Sequence, residues 1–337
     1  MKKVISVFLA LVIMVSVFGI MLSCSASGNS NIYYDNGKTY YKLNGKIQKG
    51  WILDTSSYTD KYYYADSNGV LQTGWKKIKG KWYYFEKDIY DPVMYSNTVS
   101  QLSDGKLYAF EESGALTSKT GWVQYSFPVG ARGYDAWFYI EKGGIAAVGW
   151  KKLNGKWYYL QENGEMCSEC GCLVGKKVYV FEKSGALTSK TGWVCFQFTA
   201  GYNTYKTWYY VTKGGVAKTG WQKFDGKWYY FDKDYGYMYS NGSRSVDGTM
   251  YVFEKSGALT EKVGWLCIYQ PISYYDSQLV ADWYYVKKGG IATTYWKKIG
   301  GKWYYFGSFG EMYSDGGYTL SDGKKYYFDK NGVCLNP

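Results

Sequence analysis

Residues 149–160 read Gly149-Trp150-Lys151-Lys152-Leu153-Asn154-Gly155-Lys156-Trp157-Tyr158-Tyr159-Leu160. The central Asn154-Gly155 pair accepts the positive φ angles that a two-residue hairpin turn requires. The runs on either side are rich in aromatic residues, which favour strands. Strand alternation then puts Trp157 and Tyr159 on one face and Tyr158 and Leu160 on the other. The stretch therefore predicts a β-hairpin. A lone hairpin buries too little surface to stand in water, so it must pack on neighbours.

The neighbours are present in the sequence. Gly-Trp recurs at Gly50-Trp51, Gly74-Trp75, Gly121-Trp122, Gly149-Trp150, Gly192-Trp193, Gly220-Trp221 and Gly264-Trp265, with Tyr295-Trp296 as an eighth copy. The aromatic block recurs as Trp82-Tyr83-Tyr84-Phe85, Trp157-Tyr158-Tyr159-Leu160, Trp228-Tyr229-Tyr230-Phe231 and Trp303-Tyr304-Tyr305-Phe306, in steps of 75, 71 and 75 residues. Four larger units follow from that spacing. Each holds a long hairpin with extra residues before its aromatic strand, a compact hairpin like 149–160, and a third lacking Gly-Trp, such as Ser103-Asp104-Gly105-Lys106-Leu107-Tyr108-Ala109-Phe110. With Tyr33 to Tyr41 as a leading copy, about thirteen hairpins fill residues 32–337. No segment of this region has sustained helical periodicity. The expectation is all-β: an elongated β-solenoid of stacked hairpins with a continuous aromatic core.

Composition narrows the chemistry. The 337 residues include 41 Tyr, 15 Trp and 42 Gly but no His, and the formal charge is +12. Such aromatic density excludes disorder. The lack of His removes His-based nucleophile activation, general-base work and zinc ligation. Most carboxylates recur in turns, as in Glu111-Glu112-Ser113-Gly114 and Glu182-Lys183-Ser184-Gly185, whereas a catalytic pair is normally one unique constellation. Cys167, Cys170 and Cys172 form one cluster, for which a local disulfide or free thiols are expected rather than a metal. The chain thus reads as a non-enzyme without cofactor or metal. Its basic surface attracts polyanions.

The first residues read as an export signal: Lys2 and Lys3 precede an apolar run from Val4 to Leu22, followed by small residues. Residues 1–24 form this signal and 25–31 a short linker. Met21-Leu22-Ser23-Cys24 resembles a bacterial lipobox with Met in place of the usual Leu, which makes Cys24 the lipidation candidate; cleavage after Ala26 would instead release a soluble protein. Both readings stand. Either places the chain outside the cell, on the surface or secreted, with no nucleic-acid partner and no membrane contact beyond that lipid.

The pattern Gly-Trp-x-Lys-x-x-x-x-Trp-Tyr-Tyr-Phe-x-x-x-Gly-x-Met, clearest at 74–94, 149–166, 220–238 and 295–312, resembles the cell-wall-binding repeats of the choline-binding family and the related glucan-binding and clostridial-toxin repeats. The resemblance implies a hairpin solenoid that binds ligands between successive hairpins. In choline-binding members a quaternary ammonium sits among the Gly-Trp indole, the first aromatic of the same hairpin and the second tyrosine of the next. That cage uses the attraction of a weakly hydrated cation to ring faces. Carried over, the rule gives Trp51, Tyr62 and Tyr84; Trp122, Trp137 and Tyr159; Trp193, Trp208 and Tyr230; Trp265, Trp283 and Tyr305; and Trp296, Trp303 and Tyr327. The other compact hairpins lack a third ring, because Ala109, Val180 and Val252 stand there.

Four of the five complete sets begin on long hairpins, whose inserted residues include Tyr125, Phe127, Phe198, Tyr202, Tyr274 and Tyr275. These insertions suit stacking on sugar rings at least as well as caging choline. The functional expectation is a non-catalytic bacterial surface protein that attaches to wall polymer, a choline-bearing teichoic acid or another glycan. The alternative is a secreted adhesin or spacer that meets host glycans or proteins.

Overall fold

The computed structural model describes residues 31–56, 60–129, 132–200, 203–273 and 276–337. The export segment, the Cys24 lipidation candidate and nearly all of the 25–31 linker lie outside these residues, as do Tyr202, Tyr274 and Tyr275. Among the described residues all regular structure is strand. The chain divides into two compact units, one ending at Cys167 and one starting at Ser168. Each is a stack of antiparallel hairpins, the solenoid-type all-β repeat expected from the sequence.

The four compact hairpins share one register. In 149–160, Gly149 pairs with Leu160, Trp150 with Tyr159, Lys152 with Trp157 and Leu153 with Lys156. The turn residues Asn154 and Gly155 have φ of 48° and 79°, and Asp225 and Gly226 have 46° and 79°. Two consecutive positive φ angles define the turn whose twist matches that of the strands it joins.

Three of the four long hairpins are built the same way and simply continue, whereas in the hairpin of Trp51 the pairing ends at Asp54↔Lys61. Gly121–Val129 pairs with Arg132–Glu141 in an unbroken ladder from Gly121↔Ile140 to Val129↔Arg132. Gly192–Ala200 and Asn203–Thr212 repeat this ladder, and Gly264–Ser273 pairs with Asp276–Lys287 with one irregularity between Pro271 and Ser273. The inserted residues therefore extend regular strands rather than form a separate loop platform. The physical reason is their alternation. Val123, Tyr125 and Phe127 point inward and, with Ala136, Phe138 and Ile140, cover Leu107 and Ala109 of the preceding hairpin. A two-residue strand, Ile145–Ala146, joins that pair of hairpins into one five-stranded sheet. The same arrangement recurs twice in the second unit.

Two features tie successive hairpins together. The last residue of the aromatic strand is wholly buried, as at Phe85, Phe110, Leu160, Phe231, Phe253 and Phe306. After several hairpins the chain returns, and an apolar residue donates its backbone N–H to the carbonyl of the first aromatic of the preceding hairpin. Leu116 bonds Trp82 at 2.7 Å, Met166 bonds Trp137 at 2.8 Å, Met238 bonds Trp208 at 2.7 Å, Leu259 bonds Trp228 at 2.7 Å and Met312 bonds Trp283 at 2.8 Å. Met238 then lies against Gly257 of the next turn, where a Cβ would collide with its thioether.

Phe231→Ala should lower stability by about 3–5 kcal/mol, the cost of emptying a buried phenyl site. The denaturant midpoint of the 168–337 unit checks this; an unchanged midpoint would show that the buried spine does not hold the stack.

Candidate functional site

Strand alternation decides which rings reach the surface. On the compact hairpin 74–85 one face carries Trp75, Lys77, Trp82 and Tyr84, because Trp75 pairs with Tyr84 and Lys77 with Trp82. Tyr84 is buried, stacked on Tyr95 with centroids 5.3 Å apart. Trp82 stays 45% exposed. Trp75 stands edge-on to Trp82 at 6.2 Å and 89°, leaving an open right-angled corner. The corner recurs at Trp150/Trp157 (6.2 Å, 90°), Trp221/Trp228 (6.3 Å, 90°) and Trp296/Trp303 (6.2 Å, 89°). On a long hairpin Trp193 and Trp208 form it at 6.4 Å and 80°.

Within each unit the next hairpin adds its first tyrosine to the Gly-Trp indole. Trp75 meets Tyr108 at 5.0 Å, Trp51 meets Tyr83 at 4.9 Å and Trp122 meets Tyr158 at 5.0 Å. In the second unit Trp193 meets Tyr229 at 5.3 Å, Trp221 meets Tyr251 at 5.0 Å, Trp265 meets Tyr304 at 5.0 Å and Trp296 meets Tyr326 at 4.9 Å. The second tyrosines expected from the sequence face their own hairpins. Tyr84, Tyr230 and Tyr305 are buried, the last two packed on Tyr239 and Tyr313, and Tyr159 lies 5.2 Å from Trp150. Tyr327 is exposed, with Lys325 over its ring at 5.3 Å. Tyr62, half-buried, packs against Ile78, Phe85 and Met94. Ring contacts across the stack thus reach Tyr83, Tyr108, Tyr158, Tyr229, Tyr251, Tyr304 and Tyr326, one residue before the expected position. Register could have found them: a two-residue turn at Asn154-Gly155 forces Trp150 opposite Tyr159, so Tyr159 serves its own hairpin and Tyr158 faces the other way.

The two rings of a corner have different duties. The Gly-Trp indole also lies over the buried phenylalanine of the next hairpin, 6.1 Å for Trp51 and Phe85, 6.0 Å for Trp221 and Phe253. The first aromatic, at Trp82, Trp137, Trp157, Trp228, Trp283 and Trp303, is exposed, while its backbone carbonyl carries the stacking hydrogen bond at five of these six positions. The inserted aromatics Tyr125 and Phe127 belong to the core cluster; burial pushes the Tyr125 hydroxyl up to about 12, so it stays a neutral phenol. A cleft of about 440 Å³ opens beside Trp51, lined by Tyr64, Asp66, Gln72, Lys76, Lys77 and Lys79 among others.

Compact and long hairpins differ directly opposite the exposed indole. Compact hairpins place Lys77, Lys152, Lys223 and Lys298 there, with ammonium-to-centroid distances of 5.8, 5.7, 5.7 and 5.7 Å. Three long hairpins place the uncharged Gln124, Cys195 and Cys267 opposite Trp137, Trp208 and Trp283, and the fourth places Leu53 opposite Tyr62. Burial pushes the Cys195 thiol up, with Lys206 opposing, so it faces Trp208 as a neutral group. Cys167 and Cys172 are disulfide-bonded, while Cys170, Cys195, Cys267 and Cys334 are free among the described residues.

The segments that carry these corners match known families. A putative cell wall binding repeat matches residues 73–88, 148–166 and 219–234, and a choline-binding repeat matches 292–333. These four segments are similar to choline-binding and cell-wall-binding repeats. Glucosyltransferase-S of Streptococcus mutans serotype c is 28% identical over 80% of this chain and 17% of its own length. Glucosyltransferase-I of Streptococcus downei is 26% identical over 91% of this chain and 20% of its own. The chain thus spans about a fifth or less of these curated relatives. Choline binding protein F from Streptococcus pneumoniae, a solved structure, is 23% identical, covers 92% of this chain and all of its own, and superposes with a TM-score of 0.27.

Trp221→Ala should cost about 2 kcal/mol, since it removes a half-buried indole from Tyr230, Tyr251 and Phe253. Trp228→Ala, which spares the backbone bond to Leu259, should cost under about 1 kcal/mol. Equal shifts in the melting curves of the two variants would contradict this division of duties.

Proposed function

We propose that the chain is a non-catalytic module that attaches to an extracellular wall polymer, a teichoic acid or related glycan, through many weak aromatic sites. The observation that carries this reading is the recurring corner of two half-exposed tryptophans at right angles. A single corner offers little. A cation over one exposed ring gains about 0.5–1 kcal/mol, and a sugar face packed on an indole is similarly weak. Repetition along one chain converts such contacts into useful avidity, because each bound repeat raises the effective concentration of the next. The matched repeat families support a wall target, and the export signal supports a location outside the cell.

The carboxylates agree with a binding role. Glu111, Glu182 and Glu254 accept hydrogen bonds from the hydroxyls of Thr117, Thr188 and Thr260 within their own turns. They are spent on turn geometry, three times over.

The long hairpins are the better sites for a quaternary ammonium. A ligand cation ~6 Å from a lysine ammonium meets a repulsion of about 0.7 kcal/mol even at the dielectric of water, and more near protein. That cancels what one indole offers. At Trp137, Trp208 and Trp283 the group opposite is neutral, and the attraction survives.

The purified mature chain should be retained on bacterial cell walls, be displaced by choline, teichoic acid or a simple glucan added in excess, and release no sugar from the walls. Replacing Trp137, Trp208 and Trp283 together by Ala should weaken choline-competed retention at least about tenfold, the product of three twofold to threefold losses. The matching triple change at Trp82, Trp157 and Trp228 should weaken it less. Equal losses would remove the special role of the long hairpins, and failure of the parent chain to be retained would overturn the wall reading itself.

A further inference from the structure

The lysines opposite the compact-hairpin indoles disfavour a cationic ligand, yet they recur at all four positions with one geometry. Lys77, Lys152, Lys223 and Lys298 are exposed, and among the described residues none lies within 4.0 Å of a carboxylate. Their neighbours are used differently. Lys151, on the opposite face of its strand, pairs with Glu141 above Tyr139 at 4.6 Å, and Lys297 lies over Tyr285 at 5.6 Å. Among the described residues, the second lysine of each doublet, and Lys223 after Gln222, stands in a tryptophan corner over an indole and without a carboxylate partner.

We propose that these four Lys–Trp corners bind phosphate esters of a polyol or sugar carried on a polymer. The ammonium pairs with the phosphate oxygens as a charge-assisted contact. The two indoles receive the C–H surface of the attached carbon skeleton, which a lone surface lysine could not do. Compact and long hairpins then differ in ligand chemistry: anionic ester at one, neutral or cationic group at the other. This rests on the reading that the repeats grip an extracellular polymer, and it names the group held and the hairpins that hold it.

The test uses the full mature chain and poly(glycerol phosphate), with dextran as an uncharged control and choline chloride followed separately by tryptophan fluorescence. In the variant K77Q/K152Q/K223Q/K298Q, affinity for poly(glycerol phosphate) should fall at least about tenfold, as four twofold losses multiply. Its weakening by NaCl between about 0.05 and about 0.5 M should largely disappear. The choline response should be retained or rise, because the four corners lose the charge that opposes a cation, and the circular dichroism spectrum should not change. Adding Q124K, C195K and C267K to that variant should restore binding to the phosphate polymer. Unchanged affinity and salt response in the quadruple variant would overturn the proposal, as would an equal loss of dextran binding. Vesicles of phosphatidylglycerol present the same ester on a lipid; preference for them over the polymer at equal phosphate would overturn the polymer assignment. A parent chain that binds poly(glycerol phosphate) but is not retained on walls would sink the wall reading and leave this one standing. Wall retention that is indifferent to the lysine changes would do the reverse.

Discussion

One backbone hydrogen bond recurs between neighbouring hairpins within each unit: an amide entering the following turn bonds the carbonyl of the first aromatic of the hairpin before. It matters because a two-stranded ribbon leaves edge groups unpaired and buries one face at most. The bond fixes the height of each hairpin on the one before it. The buried phenylalanine or leucine that ends the aromatic strand then fills the space so defined. Neither feature would hold alone. A single backbone hydrogen bond contributes only about 1 kcal/mol net, and a phenyl ring without a fixed register has no fixed pocket. Together they make each interface cooperative while limiting it to nearest neighbours, which is how repeat stacks distribute their stability.

This arrangement frees side chains for function. At Trp82, Trp137, Trp228, Trp283 and Trp303 the fold uses the carbonyl and leaves the indole outside. The Gly-Trp indoles do the opposite work, since their rings bridge to a tyrosine and a phenylalanine of the next hairpin. In the Trp75/Trp82, Trp221/Trp228 and Trp296/Trp303 corners one ring is therefore rigid because it is structural, and the other is exposed because its backbone alone is structural. A corner built this way is preorganised: little ring motion remains to be lost when a ligand arrives.

Much of this was legible in the sequence. Asn154-Gly155 and Asp225-Gly226 named the turns, the aromatic blocks named the strands, and the spacing of Trp82, Trp157, Trp228 and Trp303 gave the period of the stack. What one hairpin presents to another was harder to read. Tyr83 and Tyr84 are adjacent and chemically identical, and only the pairing Trp75↔Tyr84 shows that Tyr84 is committed at home while Tyr83 faces outward to Trp51. The inserted stretch 122–129 is expected from its aromatics to stack on sugar rings, yet Val123, Tyr125 and Phe127 alternate with Gln124 and Ser126, and that alternation extends the strand and buries Tyr125.

The contrast between Lys152 opposite Trp157 and Gln124 opposite Trp137 illustrates how a repeat stack can diversify without refolding. Both positions point to solvent on a strand whose register is set by the turn and by the buried residues behind it. The occupant of that position therefore contributes little to stability, and lysine, glutamine and cysteine all fit it. Its effect on a ligand is large by comparison, because it sets the charge at the open face of the corner. Alternation of charged and uncharged corners along one chain then favours a ligand that itself alternates, a polymer whose units carry both an anionic linkage and an apolar or cationic group. A uniformly neutral glycan would gain nothing from the lysines, and a bare polyanion nothing from the uncharged corners.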